Sequence, residues 1–407
     1  MRKNQLYITI GNFVYLVSQW AFTVVVVRFS SDFYMAGLLG LAITVSNIFF
    51  IIASYGLRSY QVSDIKKEFS DQCYVLTRLI TVPVACVACI VYSVIKGYNA
   101  ETIMVIGLYM VYKALEALSD VFHGILQIYN KYLKICISMS IKGILALIVF
   151  TVALLLKYTL IQALLCMNIV VLITLITMEY RWSLQCSSPL VLINRTNIQA
   201  SIRLLRVSIL MVVLSIAQPL LMSIPRLYFE QHYSTELLGI YSSLSSPTVA
   251  ITTLVSCALM PYIPVFAEYY KNGNVNGLSK LMFLSLGLTA AFGAIAFFAG
   301  GIAGDWILSV LYGSTLRDYV PVFQLIILVS TFSSMNMCMI VLYTSMRKLA
   351  VEASILLTGS VICYFITPYL VTNYNMAGIT YALMAAQLFQ VFFAVVFAVF
   401  FIRKSAR

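Results

Sequence analysis

Long apolar stretches recur along nearly the whole of this 407-residue chain, and they limit its possible folds more than any other feature. The hydrocarbon core of a bilayer is about 30 Å thick, so about twenty consecutive apolar residues in a helix cross it. Inside a bilayer every backbone polar group must be bonded internally, and helices meet that demand. The sequence therefore predicts an all-α integral membrane protein with about twelve transmembrane helices. The predicted spans cover residues 7–28, 35–57, 76–95, 102–126, 135–156, 159–180, 204–228, 238–263, 281–303, 322–345, 350–371 and 376–402.

The positive charges lie between the apolar stretches, in a pattern typical of membrane topology. Only 10% of the residues are charged, and the formal net charge is +12. The basic residues are dispersed in small groups without a basic stripe, which argues against a nucleic-acid partner. If the N-terminus is cytoplasmic, almost all basic loop residues are cytoplasmic too, and we expect both termini on that side. The outer side then keeps Arg28, Lys96, Lys157, Arg226 and Arg317.

The two halves of the chain resemble each other. Arg28-Phe29, followed by Leu38-Leu39-Gly40, recurs as Arg226-Leu227, followed by Leu237-Leu238-Gly239. Internal repeats are common in transporters, with the substrate path at the repeat interface. We therefore predict two six-helix lobes, residues 1–182 and 203–407, joined by a cytoplasmic linker at 183–202. Because both lobes begin inside, they should be related by a pseudo-twofold axis along the membrane normal.

The fourth predicted span carries polar and charged side chains on one face. Lys113, Glu116, Asp120, His123 and Gln127 fall within an arc of about 80° on a helix. A central charge costs about 2.5 to 3.5 kcal/mol on insertion scales, so this face should meet water or protein rather than lipid. It forms either the wall of a wet cavity or a buried ion-pair network that fixes helix packing.

Other polar residues at membrane depth allow two interpretations as well. A helical hairpin about residues 130–131 brings Lys142 of the fifth span to the depth of Asp120, and we expect these two to pair. Neutral amides either bond sugar hydroxyls or join neighbouring helices. These amides belong to Gln19, Asn47, Gln218, Asn336, Gln387 and Gln390.

Several stretches resemble a known family. They are residues 28–40, residues 120–131 (DVFHGILQIYNK), residues 259–268 (LMPYIPVFAE) and residues 308–313 (LSVLYG). The chain resembles the polysaccharide-exporter branch of the multidrug, oligosaccharidyl-lipid and polysaccharide exporter superfamily, and within it the O-antigen repeat-unit flippases. The resemblance extends over nearly the whole chain.

The resemblance implies a V-shaped pair of lobes around a charged cavity in the bacterial inner membrane. Such proteins move an undecaprenyl-diphosphate-linked oligosaccharide, for O-antigen or a similar surface polysaccharide, from the cytoplasmic to the periplasmic leaflet by alternating access. A polysaccharide polymerase and a chain-length regulator are expected partners, and H⁺ or Na⁺ is a possible coupling ion. The candidate substrate-binding residues are Arg28, Lys113, Lys142 and Arg226. The candidate ion-coupling residues are Glu116, Asp120 and His123.

Two other functions are alternatives to a flippase. A cation-coupled multidrug antiporter of the same superfamily usually keeps acidic residues in the first span, but residues 4–27 contain none. A membrane-embedded repeat-unit polymerase usually needs a large extramembrane loop, and no stretch between spans much exceeds twenty residues. The sequence also lacks a nucleophile with its base, a metal-ligand cluster and a phosphate-binding glycine loop, so we expect neither an enzyme nor a metal or cofactor.

Overall fold

The computed structural model describes residues 2–29, 33–64, 68–187, 195–259 and 262–404, and these ranges contain helices but no strand. Residues 188–194 of the predicted linker and residues 260–261 of the predicted eighth span lie outside them. The helices are α1 (Arg2–Phe29), α2 (Tyr34–Ser54), α3 (Leu57–Ser63), α4 (Asp71–Ile95), α5 (Ala100–Ile128), α6 (Tyr132–Leu155), α7 (Leu160–Thr174), α8 (Arg181–Leu184), α9 (Arg195–His232), α10 (Thr235–Ser245), α11 (Val249–Leu259), α12 (Ile263–Lys271), α13 (Val275–Tyr312), α14 (Val320–Ser345) and α15 (Leu349–Lys404).

Ten helices of the described residues are long and apolar enough to cross a membrane. The predicted seventh span lies in α9, which is 38 residues long. A further span is hidden in the longest candidate, Leu349–Arg403, because that segment contains the predicted spans eleven and twelve. These observations confirm an all-α integral membrane protein with about twelve transmembrane helices.

Helix α15 is a hairpin rather than a rod. Asn375, with φ 50° and ψ −129°, interrupts its helical backbone. The Gln390 amide donates a 2.9 Å hydrogen bond to the Leu356 carbonyl, although 34 residues of straight helix would separate them by about 50 Å. A Cβ at Gly378 would lie 2.2 Å from the Leu370 carbonyl oxygen. The chain therefore reverses at Asn375, and the two halves of α15 pack against each other.

The chain divides into two compact units, Met1–Ile216 and Ala217–Arg407. In the first unit α5 packs against α2, α4 and α7, while α1 packs along α6. The division falls within α9, so the first part of that helix belongs to the first unit. The predicted lobe boundaries, 1–182 and 203–407, stay a prediction.

The second unit is organised around α14, which contacts α10, α11, α12, α13 and α15. Its apolar core includes Phe266, Met282, Met339, Tyr343 and Ala394. Small residues allow close helix packing here, since a Cβ at Gly293 of α13 would come within 2.2 Å of the Thr331 side chain. Close approach through small residues is a common means of helix association in membranes.

Candidate functional site

The polar face of α5 forms ion pairs with neighbouring helices and also lines a cavity, so both arrangements expected from the sequence are present. Three clusters of ionisable groups succeed one another along this face, around Glu116, Asp120 and Glu179. Asn99 begins the helix by accepting a hydrogen bond from the Thr102 amide. Within the described residues all five ion pairs belong to the first unit.

Asp120 is held by two arginines. Its Oδ1 lies 3.1 Å from Arg58 of α3, and its Oδ2 lies 2.8 Å from Arg78 of α4. Arg78 is completely buried and donates a second hydrogen bond to the Ala53 carbonyl oxygen. Arg58 also donates to the Gln127 side chain at 3.2 Å. The two carboxylate oxygens of Asp120 therefore pair with arginines from two different helices.

Glu116 forms a second cluster with α1. Its Oε2 lies 2.6 Å from Lys113, while its Oε1 accepts hydrogen bonds from Tyr15 and from Gln19, the latter at 2.7 Å. The Tyr112 hydroxyl lies 2.8 Å from that of Tyr15 and continues the network. The Lys113 ammonium lies within 6 Å of three aromatic rings, which stabilise a cation.

The third cluster is centred on Glu179, a residue that sequence reasoning missed. Its carboxylate is fully buried, 3.0 Å from the Lys142 ammonium and 3.1 Å from the His123 ring. The Ser138 hydroxyl donates to it as well. Glu179 lies in a π-helical turn, Leu175–Tyr180. Such turns are rare and frequently occur at functional sites.

The expected pairing of Asp120 with Lys142 is wrong. Lys142 pairs with Glu179, and Asp120 pairs with Arg58 and Arg78. The expectation considered only the two adjacent spans. The actual partners come from the ends of the second, third and sixth spans, where the basic residues also fit the charge pattern of a cytoplasmic loop.

A cavity of about 340 Å³ opens beside these clusters in the first unit. Among the predicted ion-coupling residues, Glu116, Asp120 and His123 all contribute to its wall. Of the predicted substrate-binding residues, Lys142 lines it and Lys113 lies behind Glu116. The remaining lining residues are Tyr15, Phe50, Ser54, Gly56, Arg58, Ser119 and Met139.

The second unit has a cavity of about 350 Å³ with a different chemistry. Among the residues that line this cavity, Arg226 of α9 is the charged one. Its guanidinium lies 5.4 Å from the centre of the Tyr241 ring and donates a 3.3 Å hydrogen bond to the Ser245 hydroxyl. The other polar lining residues are neutral hydroxyls and amides: Gln218, Ser245, Thr248, Thr252, Ser330, Ser333, Ser334 and Asn336.

The two predicted arginines have different surroundings within their own units. Arg226 lines the cavity of the second unit, whereas Arg28 is exposed in the last turn of α1. Several of the predicted polar amides join neighbouring helices. Asn336 donates to Gln390 at 3.1 Å, and Gln387 donates to the Ser333 hydroxyl at 2.7 Å.

The sequence is similar to that of a capsular polysaccharide biosynthesis protein. The chain is 24% identical over 314 residues to the capsular polysaccharide biosynthesis protein CapF of Staphylococcus aureus, covering 77% of this chain and 78% of that protein. No family model matches the sequence.

Solved structures share the fold over nearly the full length. One is described as the outward-facing conformation of a multidrug resistance MATE family transporter of the MOP superfamily; it covers 98% of this chain and 94% of its own, with a TM-score of 0.65 and 12% identity. An inward-facing conformation of such a transporter covers 99% and 96%, with a TM-score of 0.66 and 13% identity. The chain thus has the two-lobe, twelve-helix fold of MOP superfamily transporters.

Proposed function

We propose that this chain is a flippase that moves undecaprenyl-diphosphate-linked oligosaccharide repeat units from the cytoplasmic to the periplasmic leaflet. The observation that carries the proposal is the charge of the first-unit site. Four cations, Arg58, Arg78, Lys113 and Lys142, face three carboxylates, Glu116, Asp120 and Glu179. The clusters together carry one more permanent cation than carboxylates, and two of these cations, Arg58 and Lys142, line the cavity, where they can attract an anionic diphosphate headgroup.

The similarity to a capsular polysaccharide biosynthesis protein supports the same substrate class. The second-unit cavity adds to that support, because its neutral hydroxyls and amides are suited to hydrogen bonds with sugar hydroxyls. Both termini are assigned to the cytoplasm, in a bacterial inner membrane. In this proposal Arg28 and Arg226 contact the substrate, while Lys113 and Lys142 add positive charge to its site and stay paired with Glu116 and Glu179. Glu116, Asp120 and His123 are the proposed residues for the coupling ion.

A cation-coupled multidrug antiporter is the second candidate. The observation that favours it is the presence of Glu116 and Asp120 on the cavity wall, since carboxylates can bind a cation or a coupling proton. The multidrug transporters with this fold agree with that alternative at the level of the fold. A repeat-unit polymerase has less support, because the solved structures with this fold are transporters.

The test is deletion of the gene in a polysaccharide-producing host. We expect surface glycan to disappear and intact lipid-linked repeat units to accumulate on the cytoplasmic face, with both changes reversed by the plasmid-borne gene. A deletion strain that keeps its glycan but becomes sensitive to cationic drugs would favour the antiporter. Single repeat units that reach the surface without being polymerised would point to a polymerase.

A further inference from the structure

The four lysine and arginine side chains in the ion pairs of the first unit differ in the carboxylate that each would leave on moving to a new anionic partner. A buried carboxylate that loses its counter-ion is strongly destabilised. The cation that binds a ligand most readily is therefore one that is exposed to the cavity and whose carboxylate keeps another partner. These two conditions can be applied to each ion pair in turn.

Lys142 does not meet these conditions. Its side chain is 3% exposed and its partner Glu179 is 0% exposed. The other basic group close to Glu179 is His123, which carries a charge only when protonated, and the Ser138 hydroxyl that also donates to it is neutral. Departure of Lys142 would leave Glu179 without a permanent cation in a fully buried position.

Lys113 and Arg78 are equally poor candidates. The Lys113 side chain is 9% exposed, and Lys113 is the cation paired with Glu116. Arg78 is 0% exposed and is fixed to the Ala53 carbonyl as well as to Asp120. Neither residue lines the cavity.

Arg58 meets both conditions. Its side chain is 25% exposed, and it lines the cavity. It contacts Oδ1 of Asp120, while the Arg78 guanidinium stays on Oδ2 at 2.8 Å. When Arg58 turns away, Asp120 remains charge-compensated. The second partner of Arg58 is the Gln127 amide oxygen, a neutral acceptor.

We propose that Arg58 binds the phosphate of the substrate headgroup in the first-unit cavity, and that Asp120, kept in place by Arg78, holds the guanidinium until that phosphate replaces it. The proposal rests on the proposed function and names the group that receives the diphosphate. A guanidinium offers forked donors that match phosphate oxygens as well as carboxylate oxygens, so one anion replaces the other without loss of geometry.

The position of Arg58 on α3 fits this exchange. Helix α3 is a seven-residue helix that begins directly after Tyr55 and Gly56, both with positive φ. Gln61 of the same helix lies in the space that a side chain at Gly124 of α5 would fill. Arg58 is thus carried by a short element next to the cavity rather than by a long packed span.

The test uses the purified full-length protein in nanodiscs. Binding is measured with undecaprenyl diphosphate, with undecaprenol, which lacks phosphate, and with inorganic pyrophosphate as a competitor. The variants are Arg58→Gln and Arg58→Lys, with Arg317→Ala as a control that also removes one exposed cation but lies in the second unit. Size-exclusion profiles establish that each variant is folded.

We expect Arg58→Gln to weaken undecaprenyl diphosphate binding by about ten- to hundredfold, because a charge-assisted hydrogen-bond pair is lost. Arg58→Lys should keep part of the affinity, while the control and undecaprenol binding should not change. Unchanged affinity in folded Arg58→Gln or Arg58→Lys overturns the assignment. Equal affinity for free pyrophosphate would overturn the lipid headgroup as the source of the phosphate.

The proposed function can fail separately. If Arg58-dependent binding is found but the deletion strain still exports its glycan, the phosphate site stands and the flippase function falls. If the deletion traps repeat units but Arg58 variants bind and transport normally, the flippase function stands and the Arg58 site falls.

Discussion

Glu179 and Glu352 are both buried carboxylates, but their surroundings are opposite. Glu179 has a lysine and a histidine within 3.1 Å. Glu352, in the first turn of α15, is 1% exposed, and among the described residues neither of its side-chain oxygens has a hydrogen-bond partner. An isolated buried charge is costly, whereas a paired one is harmful mainly when its partner is removed.

The two glutamates should therefore respond oppositely to the same change. Glu179→Gln leaves Lys142 uncompensated, and we expect it to lower the free energy of unfolding by about 3 to 5 kcal/mol. Glu352→Gln removes an unpaired acid, and we expect an unfolding temperature that is equal to or higher than that of the wild type. Thermal unfolding of both variants in the same detergent measures the difference. A lower unfolding temperature for Glu352→Gln would show that its carboxylate has a partner after all.

Arg226 provides a prediction for transport. Its guanidinium lies over the Tyr241 ring and next to Ser245 in the second-unit cavity, whereas Arg28 is exposed at the end of α1. Lysine keeps the charge but loses the planar, forked donors. We expect Arg226→Lys to reduce export of lipid-linked repeat units at normal protein levels. Wild-type export by the double variant Arg28→Lys, Arg226→Lys would contradict diphosphate recognition at these positions.

At the residue scale, periodicity predicted which side chains of α5 share a face but not which helix that face meets. The sequence placed Arg58 and Arg78 among cytoplasmic basic residues, yet both guanidiniums reach Asp120. Glu179 follows the mostly apolar stretch Ile169–Ile176, and no charged residue lies three or four positions away from it. Its position beside Lys142 depends on helix packing that no local pattern contains.

At the scale of elements, the reversal in α15 depends on Gly378. A Cβ there would meet backbone atoms of Leu370 and Val371 at 2.2 to 2.6 Å, and backbone cannot move aside as a flexible side chain can. Gly287 of α13 is the matched control, because a Cβ there would meet nothing within 4 Å.

We expect Gly378→Ala to destabilise the protein by about 1 to 3 kcal/mol, as overpacking does. Gly287→Ala should be neutral or stabilising by up to about 1 kcal/mol, since alanine favours the helix. Chemical denaturation of both variants in detergent measures these changes. Equal effects at the two positions would mean that the close approach at Gly378 is relieved without cost.

A substitution at Asn375 should have the opposite effect and stabilise the reversal. Its φ of 50° with ψ of −129° is unfavourable for a residue with a side chain. Glycine adopts positive φ without that steric cost, so Asn375→Gly should stabilise the reversal by about 1 kcal/mol. The measurement is the unfolding midpoint of the variant against the wild type. A lower midpoint would indicate that the Asn375 side chain makes a contact worth more than the strain.

Spans eleven and twelve were predicted correctly as separate stretches because the apolar pattern weakens between 371 and 376. The short length of the connection was not predicted, because the polar residues Thr372 and Asn373, with Tyr374, are typical of an ordinary loop. In the structure all three residues are helical. Loop composition indicates that the chain turns but not how many residues the turn uses.

At the scale of the whole molecule, charge is divided unequally between the units. The ion pairs of the described residues lie in the first unit, while the second-unit cavity is lined by one arginine, neutral hydroxyls and amides, and apolar side chains. The apolar pattern predicted helices in both units. It could not predict this difference, because it depends on the few polar residues that each set carries.

This unequal distribution of charged groups between the two units predicts two kinds of transport defect. Substitutions at first-unit cations should impair export of every lipid-diphosphate substrate to a similar degree, because the diphosphate is common to all of them. Substitutions at neutral second-unit residues, such as Gln218→Ala, should change export differently for repeat units with different sugars. Export assays with two glycan structures in the same host measure this. Sugar-dependent defects from the first-unit cations would contradict the division.

The reversal at Asn375 also bears on how the protein enters the membrane. Helix continues up to and beyond this residue, so the polar connection between spans eleven and twelve is only Thr372 to Asn375. The two halves of α15 are already hydrogen-bonded to each other through Gln390 and the Leu356 carbonyl. We therefore expect the last two spans to enter the membrane together as one hairpin, and an insertion placed at residue 375 to separate their entry into two steps.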